Sequence, residues 1–254
     1  MNNSFPDTLI KSSKKNIPAL YNNSSSCDIA NKIPLLEKHC TDAQKLFLNK
    51  SAVCCKQKKD DIIIHENFPA SHIFFVLSGI VALWKENIYC KKQYIRFIKE
   101  GELFGFRGST MENTTYRHSA SAFENSEICY IPKEDFAQVL KENAELHFNI
   151  LSTYVRELDK IETNFCSQTS MNTREKLAEA LLTIHEIFGC NGNNVPLCKN
   201  ISRNDIADIA GISTGKTINL LTEFRAENII ATYGSTITLL NLDKLKEIVA
   251  EYHQ

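Results

Sequence analysis

The residues Ala210-Gly-Ile-Ser-Thr-Gly-Lys-Thr217 gather side chains that handle phosphate oxygens: three hydroxyls, a lysine ammonium and two glycines that let backbone come close. They fit a loose phosphate-loop pattern, with alanine standing for the first glycine, in which backbone amides cradle a nucleotide. That chemistry needs a strand before the loop, whereas Asp205 to Ala210 has helical rather than alternating periodicity. The chain after Thr217 is also short for the parallel sheet of such an ATPase. The same donors suit a second chemistry. On a helix entering the major groove, hydroxyls and cations meet phosphate and an amide meets a base edge. Arg203, Ser213, Thr214, Gly215, Lys216, Thr217 and Asn219 form the candidate DNA-facing set, with Arg203, Ser213 and Thr214 mainly on phosphate.

Two short helices must position that set. Ser202 is a hydroxyl N-cap and Asp205 a first-turn acid. Ile206, Ala207, Ile209 and Ala210 supply an apolar face, and Gly211 stops the helix. Ser213 caps the next helix, whose apolar face is read as Thr217, Ile218, Leu221 and Phe224. This is a helix-turn-helix pattern. Ile229 to Tyr233, a Gly234-Ser235 turn and Thr236 to Leu239 then read as a hairpin, the wing.

Upstream, the pattern is different. Short apolar runs at Asp61–His65, Ile73–Leu77, Gly79–Trp84, Tyr94–Ile98 and Glu127–Ile131, separated by turn signals, predict a β-barrel, sandwich or roll. A helical stretch, Ile33 to Phe47, leads into it. Residues 1–26, rich in Asn, Ser and Lys, read as a loosely docked arm. From Asp135 to Ser167 the chain is helical with a break near Asn143-Ala144. Leu151, Leu158 and Phe165 fall seven apart, as do His147, Tyr154 and Ile161, which predicts a seam for a partner helix. Ser167 to Thr173 reads as a hinge, with Thr173 capping a helix whose face is Leu177, Leu181, Ile184 and Phe188. The turn Gly189–Asn194 follows.

Composition excludes little. The chain has 254 residues, 43% of them hydrophobic, and a formal net charge of -1, so there is no global pull towards DNA. Between Ile209 and Thr222 the one charge is Lys216. Few phosphate contacts per subunit favour a homodimer that adds two sets. Nine cysteines without a recognisable secretory signal lead us to expect a reducing cytoplasm and no membrane association.

The order of β-roll, long helix, hinge and winged helix-turn-helix resembles the Crp/Fnr family of bacterial transcription regulators over about residues 45–245. Ile73-Phe-Phe-Val-Leu-Ser-Gly-Ile-Val81 is similar to its strand-turn-strand signature, and Lys99-Glu-Gly-Glu-Leu-Phe-Gly105 to its turn into the effector pocket. Ser119–Ala122 and Ile131–Phe136 match the end of the roll. Ile201–Ala207 and Gly211-Ile-Ser213 match the DNA-binding segment, and Leu220–Phe224 is similar to the Bacteroidetes form. The resemblance implies an α+β protein with a jelly-roll-like, double-stranded β-helix sensor at 27–134. A dimerisation helix at 135–167 and a winged helix-turn-helix at 168–254 complete it. Leu151, Tyr154, Leu158, Ile161 and Phe165 are the implied dimer contacts. Double-stranded DNA with a palindromic site, a second copy and RNA polymerase are the implied partners.

The departures bear on the effector. Cyclic-AMP-binding members carry Glu where this chain has Phe106, and Arg-Ser where it has His118-Ser119; Arg117 falls on the other side of a strand. A cyclic phosphate without a well-aimed cation is costly to bury, so cyclic AMP is not the expected ligand. Gly105, Phe106, Arg107, His118 and Ser119 are the effector-pocket candidates, and no cofactor is assigned. No Cys-x-x-Cys occurs, so cluster ligation is poorly supported. The neighbours Cys54-Cys55 read as structural thiols on opposite strand faces. His39, His65, His72, His118 and His147 lack metal-ligand spacing, although one haem-binding histidine would leave no spacing signature. No nucleophile-base-acid set is present, so an enzyme is not expected. The competing reading is an effector-binding or redox-responsive module acting through protein contacts without DNA.

Overall fold

The computed structural model describes residues 28–87, 92–109, 115–188, 195–196, 201–234 and 236–250, with only the backbone of 108–109, 164–168 and 195–196. Two compact units result, residues 1–82 with 98–151, and 83–97 with 152–254. The arm at 1–26 and the turn at 189–194 lie outside the described residues.

The first unit opens with α1 (Ile29–Lys32), α2 (Pro34–His39) and α3 (Asp42–Ser51), not the single helix expected from Ile33 to Phe47. Ile33 and Cys40 are both extended. A residue before proline is pushed out of the helical region, which explains the break at Ile33. Thr41 then starts α3 with a capping box to Gln44.

The strands are β1 (Val53–Gln57), β2 (Ile62–Ile64), β3 (His72–Ser78), β4 (Val81–Glu86), β5 (Lys92–Ile98), β6 (Leu103–Phe104), β7 (Ser119–Ala122) and β8 (Ser126–Pro132), with α4 (Phe106–Ser109) after β6. One sheet runs β1-β8-β3-β6 and the other β2-β7-β4-β5. In the first sheet, Ile73 pairs with Ile131 and Phe74 with Tyr130. Ile73 to Val76 are all buried because β3 is covered on both faces. Phe75 meets Phe136 of α5 (Lys133–Glu142) at 5.7 Å, while Phe74 stacks on Phe104 at 5.0 Å.

Cys54 and Cys55 are both buried on β1. Cys55 is a free thiol. Cys54 is disulfide-bonded, where the sequence reading expected a reduced thiol.

Asn143 separates α5 from α6 (Ala144–Ser170). Its side chain caps α6 by accepting from the Leu146 amide at 2.9 Å and ties back to the His39 carbonyl at 2.7 Å. The expected hinge is narrower than predicted. Backbone stays helical through Ser170, leaving only Met171 and Asn172 outside helix. Asn172, not Thr173, caps α7 (Thr173–Ile187), through a capping box with Glu175.

In the second unit, β9 (Val195–Pro196), α8 (Arg203–Ala210), α9 (Thr214–Ala226), β10 (Ile230–Tyr233), β11 (Thr236–Leu239) and α10 (Leu242–Val249) follow α7. Their core joins Leu177, Leu181 and Ile184 to Ile206, Phe224, Ile237 and Leu245, all fully buried. Arg174 lies 4.7 Å over the Phe224 ring and pairs with Glu227 at 2.7 Å.

Candidate nucleic-acid interface

Local rules build the two helices of this site. Asp205 N–H donates to Ser202 Oγ at 3.0 Å and Ser202 N–H to Asp205 Oδ2 at 2.9 Å, a closed capping box that starts α8. Gly211 ends it at φ 65°, where a side chain would be strained, and its N–H donates to the Ala207 carbonyl. Ser213 caps α9 by accepting from Lys216 N–H at 3.3 Å. Thr214 Oγ1 donates to Asn204 Oδ1 at 3.0 Å, a link between α8 and the start of α9 that single-helix periodicity does not reveal.

The faces of α9 divide sharply. Thr217, Leu220, Leu221 and Phe224 are buried, and Gly215, Lys216, Ile218, Asn219 and Thr222 are exposed. Two sequence assignments change. Ile218 belongs to the outer face and Leu220 takes its place inside. Thr217 is fully buried with its hydroxyl donating to the Ser213 carbonyl at 3.1 Å, so it packs rather than faces DNA.

The hairpin β10–β11 pairs Tyr233 with Thr236 and Thr232 with Ile237. A third strand, β9, completes the small sheet through Leu239 and Val195. Arg203 Nη2 donates to the Gly234 carbonyl at 3.4 Å, linking the first helix to the wing tip. Partial burial lowers the pKa of Arg203, yet a guanidinium stays charged. The structure therefore brings Arg203, Ser213, Thr214, Gly215, Lys216 and Asn219 into one unit beside a wing.

The effector candidates fare differently. Gly105 takes φ 83°, and a Cβ there would lie 3.1 Å from Phe74 and 3.3 Å from the His72 carbonyl. Phe106 turns onto Phe136, with ring centroids 6.4 Å apart. Arg107 is exposed and His118 half-buried. Ser119 is buried, accepting from the Glu66 amide at 3.0 Å. Next to Gly105, the Tyr116 hydroxyl donates to the His72 carbonyl and accepts from the His72 amide, both at 3.1 Å. Burial lowers the His72 pKa and keeps its imidazole neutral near pH 7. Phe74, Phe104, Tyr116 and Tyr130 thus make an aromatic, uncharged interior beside the turn.

Two profiles of known domains match the chain. A profile of the cyclic nucleotide-binding domain matches residues 55–143, and a profile of the Crp-like helix-turn-helix domain matches residues 175–248. The chain belongs to the Crp/Fnr family of transcription regulators. One relative is the transcriptional activator protein anr of Pseudomonas aeruginosa, 23% identical over 185 residues, covering 72% of this chain and 75% of that protein. Another is the cAMP-activated global transcriptional regulator CRP of Salmonella typhimurium, 20% identical over 187 residues, covering 72% of this chain and 88% of that one. A solved Crp/Fnr-family structure from Eubacterium rectale superposes with a TM-score of 0.72 at 17% identity, covering 87% of this chain and 99% of that one.

In this Crp/Fnr chain the long helix α6 carries an apolar stripe. Phe148, Leu151, Val155, Leu158 and Ile161 are all exposed. Their spacing of three and four is that of a coiled-coil seam. The stripe holds Leu151, Leu158 and Ile161 of the expected rows together with Phe148 and Val155, and His147 is exposed. Tyr154 is half-buried, and the Phe165 side chain lies outside the described residues. Among the described residues, no helix is long and apolar enough to cross a membrane.

Proposed function

We propose that two copies of this protein pair along α6 and read a palindromic duplex site, each placing α9 in a major groove. The observation that carries this reading is the exposed start of α9, whose one charge between Thr214 and Thr222 is Lys216, beside a wing held by Arg203. Arg203, Ser213, Thr214 and Lys216 supply phosphate contacts, and Asn219 suits adenine. Leu151, Leu158 and Ile161, together with Phe148 and Val155, form the dimer seam.

The sensor responds to something other than cyclic AMP. The turn after Gly105 presents Phe106 packed on Phe136 where a ribose acceptor would be needed, and the interior beside it is aromatic. The protein works in the cytoplasm, with RNA polymerase as its further partner, and carries out no catalysis of its own.

Selection from random duplexes with the full chain tests this reading. The expected product is a palindrome with half-sites about one helical turn apart. Absence of any enriched sequence, with or without cell extract, would overturn it.

A further inference from the structure

The outer face of α9 contains a side chain that neither the fold nor phosphate contact explains. Ile218 is 48% exposed, midway along a helix whose opposite face is fully packed. Single exposed apolar residues are common on protein surfaces and need no explanation by themselves. Ile218 differs in its setting. On an α-helix, residues three and four apart share a face, so Gly215, Ile218, Asn219 and Thr222 form one outward stripe.

Gly215 supplies the second observation. A Cβ built on it meets nothing within 4 Å. Its φ is not in the left-handed region, unlike that of Gly211. Neither packing nor backbone geometry calls for glycine there, although glycine weakens a helix by about 1 kcal/mol relative to alanine. Its effect is to leave a notch one turn before Ile218, open on the outer side. Thr222, one turn after, donates its hydroxyl to the Ile218 carbonyl at 3.0 Å, so that hydroxyl is already engaged by the helix. The stripe thus offers a branched apolar side chain at an open notch, with the Asn219 amide beside it.

We propose that Ile218 reads thymine through its 5-methyl group, and that Gly215 gives that methyl room to approach. The inference rests on the DNA-binding reading above and names what the same helix recognises. Of the four base edges in the major groove, thymine alone displays a methyl. Asn219, next along the stripe, matches the N6 and N7 pattern of adenine, so the two side chains together favour A·T-containing steps.

The test uses the full chain and the duplex obtained by selection, resynthesised with each thymine replaced in turn by deoxyuridine. That change removes only the methyl. For the wild type, one symmetric pair of replacements should weaken binding about four-fold per half-site, or roughly 15-fold for the dimer. Ile218→Ala, an exposed change that favours helix, should bind the thymine and deoxyuridine duplexes within about two-fold of each other. Equal binding by the wild type at every position, or full methyl discrimination retained by Ile218→Ala, would overturn the proposal while leaving DNA binding intact. If the wild type selects no sequence at all, the DNA-binding reading fails and takes this one with it.

Discussion

Two glycines of the helix-turn-helix separate backbone geometry from recognition at the scale of one residue. Gly211 sits at φ 65° and a Cβ added there meets nothing within 4 Å, so Gly211→Ala acts through backbone strain. It should destabilise the protein by about 1 kcal/mol in a denaturant titration. Gly215→Ala should instead stabilise by about 0.5–1 kcal/mol while weakening duplex binding by closing the notch. An unchanged affinity would count against the clearance role. Cys129 offers a pH test. Burial, with Cys55 nearby, pushes its pKa from 9.0 up to about 12. The thiol stays neutral in the fold while the unfolded chain ionises. Its stabilising contribution is therefore complete below pH 9 and is lost as pH rises towards 12. Cys129→Ala should show a flatter decline over that window; parallel curves would refute the assignment.

At the scale of elements, α6 carries two separate interactions. Its apolar stripe is exposed, and such a stripe is stable in water when a second helix covers it. Val155→Glu should raise the dimer dissociation constant at least about 100-fold by sedimentation, since it places a charge in the seam. Elsewhere on the helix, Glu157 makes a two-pronged ion pair with Arg96 of β5, and the side chains are 17% and 18% exposed. Removing one partner leaves the other poorly solvated. Glu157→Ala should therefore destabilise by about 2 kcal/mol in a chemical melt. Pairing it with Arg96→Met should recover part of that loss, and a strictly additive double variant would argue against coupling.

For the whole molecule, net charge decides how binding responds to salt. With a formal net charge of -1, long-range attraction to DNA is absent and phosphate contacts carry the electrostatics. If Arg203 and Lys216 each neutralise one phosphate in both halves of a dimer, log affinity against log salt should have a slope of about -4. Arg203→Ala should reduce that slope by about 2, while Asn219→Ala should lower affinity and leave the slope unchanged. Local signals in the sequence were enough to identify many of the separate elements, while the resemblance to the Crp/Fnr family supplied their arrangement. The Ser202 and Ser213 caps, the Gly211 stop, the hairpin of the wing and the strands of the roll each depend on neighbours within a few residues. Periodicity also found α6. It singled out Leu151, Leu158 and Ile161, which are exposed, and did not single out Phe148 and Val155 beside them. Tertiary packing alone decided that Ile218 points outward, that Thr217 is buried, and that Thr214 reaches Asn204. A short helix shows apolar residues on two faces in sequence, and which face is covered depends on α7 and α8, which pack from elsewhere in the chain.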